Sequence, residues 1–406
     1  MNVILISPGF PHQIPFFTTA LARVGAQVYG VGDQPVQALD EGVRRALAGY
    51  LQVKNLWDEE TTTDEIHAWV RGKSIDRVEC LWEPGVVLAG RVREALDVPG
   101  LTVEQSIPLR DKVAMKNVIE AAGLRTPKHR RAKTAKECRA AAEEIGYPLI
   151  IKPIAGAGSA DTYELRSAKD LEDALKILQH VPEVSIEEFI EGEEHTFDTV
   201  CANGEILFEN VGWYRPKPLV ARLNEWISPQ TVCLKDIDAP ELLPGRKLGR
   251  DVIQALGFRD GFTHMEWFRT PKGEAVFGEI GGRPPGGQMV HGMNYATDAD
   301  LFVGWAEALV HGRIRQDLRK KYNVCLVFKR AQGGGNRVVR YEGLDRVLNE
   351  IGPNLAHMEL TPLGAPKKDW RQVVQGDGWI VVRHPELRRM LELSDRVASD
   401  LTLVAG

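Results

Sequence analysis

Short apolar runs alternate with stretches of helical periodicity along the first hundred residues. The first run is followed by Ser7-Pro8-Gly9 and a helix-like stretch that ends at Gly25, an order typical of a βαβ unit. A second helix is predicted over residues 86–96. We therefore predict a small doubly wound α/β domain that ends near residue 108. Its predicted strands are residues 3–6, 27–31, 78–82 and 101–103.

Beyond this boundary the apolar positions recur at helical spacing and place Lys112 in the first turn of a helix. Thr134 and Glu137 have the spacing of a capping box, which predicts the start of another helix. An apolar strand at residues 147–151 follows. This mixture of helices and strands predicts an α+β lobe over residues 109–186.

Two hairpins are predicted in the next segment, and each is marked by its turn. Asn203-Gly204 is a strong hairpin pair, and Thr270-Pro271-Lys272-Gly273 is a second turn. A loop with aromatic and basic residues is predicted between the hairpins, over residues 212–226. The paired strands are residues 196–201 with 205–211, and 262–268 with 275–280.

The pattern as a whole predicts three domains of α/β and α+β class. Residues 1–108 form the N-terminal doubly wound α/β domain, and residues 109–320 form a central domain whose second lobe begins at residue 187. Short strands and a last helix over residues 386–399 give a strand-rich C-terminal α+β domain, residues 321–406.

Composition narrows the class of partner. The 406 residues are 43% hydrophobic and carry a net charge of -5 from 56 acidic and 51 basic residues that are interspersed. No concentrated basic field indicates nucleic acid, so small molecules are the expected partners. The start lacks a signal-peptide pattern, and no run reaches the about eighteen apolar residues of a membrane span. A cytoplasmic protein is therefore expected. Its five cysteines are expected to be reduced, because they lie far apart and outside the spacing of a metal site.

The second hairpin places two glutamates together. With residues 270–273 as its turn, position 266 lies opposite 277 and position 264 lies opposite 279. Glu266 and Glu279 then share one face as diagonal neighbours, about 7 Å apart at Cα. His264 lies on that face too. Two carboxylates at this distance suit a hard cation. The alternative is a solvated hairpin with its polar side chains outward.

Glycines and one arginine follow directly after Glu279. Residues 281–287 read Gly-Gly-Arg-Pro-Pro-Gly-Gly, a turn with exposed backbone amides and a fixed cation at Arg283. This combination suits phosphate and favours a binding site over a solvated hairpin.

A second candidate phosphate site lies earlier in the chain. Lys152 ends a buried strand, and the following loop, residues 156–161, is rich in glycine. Gly156 and Gly158 allow backbone amides to approach a phosphate, and Ser159 adds a hydroxyl. An ordinary turn is the alternative. No GxxxxGK[ST] motif is present, which excludes a P-loop enzyme at the level of the motif.

An acidic segment, residues 187–194, joins the two lobes, and on its own it reads as a solvated linker. Its position in the chain is more informative. The order Lys112, Lys152, glycine loop, acidic hinge, paired glutamates and arginine resembles the ATP-grasp superfamily over about residues 108–310. The flanking regions resemble the outer domains of biotin carboxylase and of bacterial L-amino-acid ligases. The resemblance implies an ATP-grasp fold with a pre-ATP-grasp domain at the N-terminus.

The resemblance implies roles in nucleotide binding. Lys112 and Lys152 would contact ATP phosphates, and Glu194 would hold the ribose hydroxyls. Residues 156–161 would close over the triphosphate as a lid. The hinge would read the adenine edge, through the side chain of Glu187 and the backbone of Glu188, Phe189 and Ile190.

The resemblance also implies magnesium chemistry. Glu266 and Glu279 match the Mg²⁺ ligands, with Mn²⁺ as an alternative ion, and Arg283 matches an arginine that stabilises negative charge during phosphoryl transfer and attack. Glu279 and Arg283 are therefore the expected catalytic residues. The family has an asparagine ligand where this chain has Gly281. A water or a substrate oxygen would take that coordination position.

The expected reaction is ATP-dependent activation of a carboxylate as an acyl phosphate, followed by attack of an amine. Two alternatives stay open: a bicarbonate-activating carboxylase, and an ATP-binding protein without turnover. Small carboxylates and amines are the expected partners, without nucleic acid or membrane, and a homodimer is left open. The candidate substrate residues are Arg215, His264, Gly286, Gly287 and His291.

Overall fold

A computed structural model of the chain describes residues 1–155, 161–371 and 376–406. The N-terminal unit is a sheet of parallel strands in the order β3-β2-β1-β4, flanked by helices. The predicted doubly wound α/β domain is confirmed in this unit. Its elements are β1 Asn2–Ile6, α1 Ile14–Arg23, β2 Gln27–Gly32, α2 Glu41–Ala46, β3 Leu47–Gln52, α3 Glu59–Trp69, β4 Arg77–Cys80, α4 Val86–Leu96 and α5 Val103–Ser106.

The predicted strand at residues 101–103 is wrong. Thr102 instead caps α5, because its side chain accepts from the Gln105 amide while Gln105 caps the Thr102 amide in return. This capping box satisfies helix amides that a strand would leave for another partner. The apolar residues on either side gave the false strand signal.

The small lobe is a sheet in the order β5-β8-β6-β7 with helices packed against it. The predicted capping box of Thr134 and Glu137 is confirmed at the start of α7. Lys112 is the first residue of α6, whose N-cap is Asp111. The elements are α6 Lys112–Ala121, β5 His129–Ala132, α7 Ala135–Ile145, β6 Leu149–Pro153, β7 Tyr163–Leu165, α8 Ala168–Ile177 and β8 Val184–Glu188.

The rest of the chain is built on an antiparallel sheet in the order β13-β12-β9-β10-β11-β14-β17-β16. The predicted Asn203-Gly204 hairpin is confirmed, and both turn residues have positive φ, as a type I′ turn requires. The elements up to residue 311 are β9 Glu193–Ala202, β10 Glu205–Arg215, α9 Pro218–Leu223, β11 Gln230–Cys233, α10 Leu243–Ala255, β12 Gly261–Arg269, β13 Ala275–Gly281, α11 Met289–Thr297 and α12 Leu301–His311.

The loop predicted at residues 212–226 is wrong in part, since β10 continues to Arg215 and α9 follows it. Pairing with β11 extends β10, because that neighbour satisfies the backbone groups of the added residues. After the predicted boundary at residue 320, β14 pairs with β11, so the predicted central and C-terminal domains share one sheet. The remaining elements are β14 Asn323–Lys329, β15 Val338–Glu342, α13 Leu344–Ile351, β16 Leu355–Leu360, β17 Gly378–His384, α14 Leu387–Asp400 and β18 Thr402–Ala405.

The large sheet is covered on both faces. Helices α10, α13 and α14 contribute to a core that includes Phe197 and Trp267, while α11 and α12 contribute to another core. The N-terminal unit joins the second core through α1, where Phe17 meets the ring of Trp305 edge-on at 5.3 Å. Among the described residues, no helix is long and apolar enough to cross a bilayer.

Candidate active site

Three lysines and two glutamates form a row of alternating charges between the small lobe and the large sheet. Lys116 Nζ lies 3.1 Å from Glu187 Oε1. Glu187 Oε2 lies 3.0 Å from Lys152 Nζ, which lies 3.8 Å from Glu279 Oε2. Glu279 Oε2 in turn lies 3.6 Å from Lys112 Nζ. These five side chains, which we call the charged row, come from α6, β6, β8 and β13.

Local geometry explains how the row is assembled. Lys112 and Lys116 are four residues apart in α6, which places them on one helical face. Lys152 pairs with Ser185 in the small-lobe sheet, so Glu187, two residues further along β8, projects from the same face as Lys152. Ser185 Oγ also donates to Glu187 Oε1 at 2.8 Å.

The charges hold both glutamates in the ionised state. Burial raises the pKa of Glu187, but the lysines beside it outweigh this effect and lower the pKa to about 2. Burial likewise raises the pKa of Glu279, and Lys112 and Lys152 bring it down to about 2. Burial lowers the pKa of Lys152, which Glu187 and Glu279 raise above its usual value. Glu187, Lys152 and Glu279 are therefore ionised at neutral pH.

Glu266 lies directly opposite Glu279 on the sheet, which corrects the predicted pairing of residues 266 and 277. The turn holds one more residue than predicted, because Arg269 pairs with Ala275. The register shifts again between Glu266 and Trp267, because Gly278 is an extra residue in the bulged strand β13. The predicted shared face is confirmed, and the two carboxylates are immediate cross-strand neighbours rather than diagonal ones.

A buried hydrogen-bond network supports Glu266. Its Oε1 lies 3.6 Å from His264 Nε2 and 3.5 Å from Tyr214 Oη. The other ring nitrogen of His264 lies 2.6 Å from Asp198 Oδ1. Burial lowers the pKa of His264, but the bonds to Asp198 and Glu266 raise it to about 9. His264 is thus cationic, and it stands opposite Gly281 in the hairpin.

Glu266 and Glu279 fit a magnesium ion by their donor chemistry. Among the described residues, no group of three or more His, Cys, Asp or Glu side chains forms a metal cluster. Magnesium sites that also bind substrate phosphates commonly use only one or two carboxylates. Two adjacent carboxylates beside cationic lysines match that type of site.

Arg283 is held by the N-terminal unit. Its Nε and Nη2 donate to Glu83 Oε2 at 3.2 and 3.1 Å, and its Nη1 donates to the Pro284 carbonyl. A Cβ at Gly281 would lie 3.2 Å from Arg283 Cγ, so glycine leaves room for the arginine to follow this course. Arg283 follows two residues after Gly281, which pairs with His264 at the end of the hairpin that carries the two glutamates.

The hinge residues divide between two environments. Glu187 is buried in the charged row, whereas the Glu188 carboxylate accepts from Arg125 Nη2 at 2.9 Å and from the Lys128 amide at 3.1 Å. Ile190 is buried, and Lys217 Nζ lies 5.4 Å from the centre of the Phe189 ring.

Glu194 joins the face of the large sheet that carries Glu266. It pairs with Phe268 in β12, two positions from the pair of Thr196 and Glu266. Burial, and then the charge of Glu266, raise the pKa of Glu194 well above its usual value. A proton or a bound ligand would relieve this repulsion.

Other predicted site residues lie elsewhere or outside the description. Gly156, Gly158 and Ser159, with the predicted lid, fall in residues 156–160, which lie outside the described residues. Gly286 and Gly287 form the turn into α11.

Two candidate substrate residues contact other elements. Arg215 donates to Asp395 of α14 at 3.0 Å. His291 packs between the rings of Phe16 and Phe302, each 5.0 Å away. The roles of Arg215 and His291 stay predictions.

Sequence reasoning missed Lys116, Glu83 and Asp198. Lys116 follows Lys112 by one helical turn, and this spacing was a usable signal. Glu83 and Asp198 reach the site only through the packing of distant segments, and the sequence carries no local sign of it.

Comparison with known proteins finds a matching domain and related folds. Residues 109–210 match the family model of the ATP-grasp domain. An L-arginine-specific L-amino acid ligase of Bacillus subtilis is 29% identical over 219 residues, which cover 52% of each chain, so the match spans about half the length of that relative. A formate-dependent phosphoribosylglycinamide formyltransferase of Wolinella succinogenes is 26% identical over 70% of this chain and 73% of its own.

Solved structures resemble the whole chain. The L-amino acid ligase from Bacillus licheniformis superposes with a TM-score of 0.79 at 20% identity, covering 100% of this chain and 98% of its own. N5-carboxyaminoimidazole ribonucleotide synthetase from Thermotoga maritima gives a TM-score of 0.72 at 19% identity, covering 100% and 99%. The predicted ATP-grasp fold is confirmed. The chain thus carries a match to the ATP-grasp domain over residues 109–210 and shares the overall fold of these solved structures.

Proposed function

We propose that the protein is an ATP-dependent ligase that activates a carboxylate as an acyl phosphate and couples it to an amine, releasing ADP and phosphate. One observation carries the proposal. Glu279 lies between Lys152 and Lys112 in the charged row and directly opposite Glu266, so cations suited to phosphate and carboxylates suited to a metal lie side by side.

In this proposal the lysines bind the nucleotide. Lys112 and Lys152 offset charge on the phosphates, and Glu194 holds the ribose hydroxyls. Magnesium held by Glu266 and Glu279 supplies further charge neutralisation when bound. The raised pKa of Glu194 means that its charged form is disfavoured when no ligand is bound, which supports a role in ligand binding.

In the proposed reaction, the protein mainly positions the reacting groups and stabilises the charge that develops on them. The substrate carboxylate attacks the γ-phosphate and ADP leaves, after which the amine attacks the acyl carbon and phosphate leaves. Arg283 stabilises the negative charge that develops in both steps, and Glu83 fixes the direction of its guanidinium. No protein nucleophile takes part.

The amine acceptor rests on the relatives rather than on the site. An L-amino acid ligase appears among both the sequence relatives and the solved structures. The likeness to a carboxyaminoimidazole ribonucleotide synthetase supports a second candidate, a carboxylase that activates bicarbonate. We favour amino acids as the carboxylate and the amine.

A phosphate-release assay with Mg-ATP distinguishes these functions. We expect release with pairs of L-amino acids, together with a peptide product detected by mass spectrometry. Release with bicarbonate alone would favour the carboxylase. Tight ATP binding without phosphate release, over all amino acids and small carboxylic acids singly and in pairs, would contradict both enzymes.

A further inference from the structure

Lys116 is a fully buried lysine that the proposed chemistry leaves without a role. Its side chain is 0% exposed and its ion-pair partner is Glu187, which is also buried. Burial lowers the pKa of Lys116 to about 8, with Glu187 opposing the shift, so the amine is still charged at neutral pH. A buried charge is costly and is weak evidence of a stabilising interaction. The free-energy cost of burying Lys116 therefore points to a role in function rather than in stability.

The position of Glu187 indicates that purpose. Its two carboxylate oxygens face different lysines, Lys116 through Oε1 and Lys152 through Oε2. Without Lys116, the full negative charge of Glu187 would be directed at Lys152. The ammonium of Lys152 would then be neutralised by Glu187 and Glu279 together, and it would attract a phosphate only weakly.

Lys116 reduces the negative charge that Glu187 directs at Lys152, without itself contacting a ligand. Within the charged row, Lys116 supplies one of the two positive charges that face Glu187, and Lys152 supplies the other. Because its side chain is sealed from solvent, Lys116 acts on a nucleotide through Glu187 and Lys152 rather than by contact.

We propose that Lys116 is a positioning residue for nucleotide phosphates, which divides the charge of Glu187 and so keeps Lys152 available to the polyphosphate. The inference rests on the nucleotide binding of the proposed function and goes beyond it, since it assigns a role to a residue that cannot touch the ligand.

The test is equilibrium binding of ATP and of adenosine, each measured by displacement of a fluorescent adenine nucleotide in the presence of Mg²⁺. In Lys116→Met, ATP should bind about tenfold more weakly, while adenosine should bind unchanged. Adding Glu187→Gln to this variant removes the excess negative charge and should restore most of the wild-type ratio of ATP to adenosine affinity. A purely structural defect would weaken both ligands and would not be rescued.

Glu187→Gln alone provides a second test should Lys116→Met fail to fold. It should raise the ratio of ATP to adenosine affinity, because Lys152 loses a competing carboxylate. Lys329→Met is the matched control. Lys329 is also a buried lysine, but its Nζ donates to Ser228 Oγ and to the Ala398 carbonyl in another part of the sheet. This control should keep the wild-type ratio.

The outcomes separate the two proposals. A wild-type protein that binds no ATP would overturn the proposed function. If the wild type binds ATP, an unchanged affinity ratio in Lys116→Met would overturn the role of Lys116. The role of Lys116 would also be overturned if the double variant had the same ratio of ATP to adenosine affinity as Lys116→Met. A ratio below the wild-type value in Glu187→Gln would overturn it as well.

Discussion

Glu279 faces both parts of the site, since its carboxylate lies beside Lys112 and Lys152 and directly opposite Glu266. Each of these neighbours has a different use in the proposed reaction. The two lysines serve phosphate, and the opposite glutamate serves the metal. In the proposed reaction, a single carboxylate thus links metal binding to phosphate binding.

Glu279→Gln should lower turnover about a hundredfold or more, because a neutral amide neutralises little metal charge. The amide is nearly isosteric, so the folded structure and the unfolding temperature should persist. Phosphate release measures the first effect and circular dichroism during heating measures the second. Full activity in this variant would refute the metal assignment.

Glu83→Gln should lower kcat about ten- to a hundredfold while ATP affinity stays near the wild-type value. The reason is that Arg283 loses the charge that fixes its guanidinium, whereas the proposed nucleotide contacts are made by the lysines. Steady-state kinetics would measure the loss of kcat, and a separate nucleotide-binding measurement would show that the ATP affinity is retained. An equal loss of kcat and ATP affinity would instead indicate a general disturbance of the site.

At the scale of elements, helix α10 approaches the large sheet very closely. A Cβ at Gly245 would lie 2.1 Å from a ring atom of Trp267, and Trp267 is fully buried beside Glu266 in β12. The glycine therefore sets the distance between the helix and the strand that carries the site.

Gly245→Ala should reduce the free energy of unfolding by about 1–3 kcal/mol, because the buried ring has no room to move. Urea denaturation measures the change. Gly334→Ala is the control, since no described atom lies within 4 Å of its added Cβ, and it should leave stability nearly unchanged. Greater stability in Gly245→Ala, as helix propensity alone predicts, would show that the helix can shift.

At the scale of the whole molecule, the N-terminal unit is docked against the large sheet and takes part in the site. Arg23 pairs with Asp300 at 3.0 Å, and Glu83 reaches Arg283 across the same junction. His291 lies there between aromatic rings, and burial lowers its pKa to about 4. The candidate site therefore includes a contact, between Glu83 and Arg283, that depends on the docking of the N-terminal unit.

His291 should make stability fall with acid. An unfolded histidine binds a proton near pH 6.5, whereas the folded one does not until about pH 4. The unfolded state thus binds more protons in this window, and wild-type stability should decline from pH 6.5 to 4. His291→Phe removes this term, so urea denaturation should show a shallower decline. Parallel pH profiles for the two proteins would contradict the assignment.

Much of this organisation follows from the sequence alone. The order of Lys112, Lys152, the acidic hinge, the paired glutamates and Arg283 indicated the ATP-grasp fold, which the structure confirms. Turn and cap residues such as Asn203-Gly204 and Thr134 fixed local elements, because their backbone preferences act over a few residues.

Only the tertiary structure decided the contacts between residues that lie far apart in the sequence. The additional turn residue and the bulge at Gly278 together brought Glu266 directly opposite Glu279, whereas turn counting placed them diagonally. Lys116 reached Glu187 only when α6 packed on the small-lobe sheet, and Glu83 met Arg283 only when the N-terminal unit docked. Residue spacing fixes geometry within one element, but contacts between elements depend on packing, which no short stretch of sequence encodes.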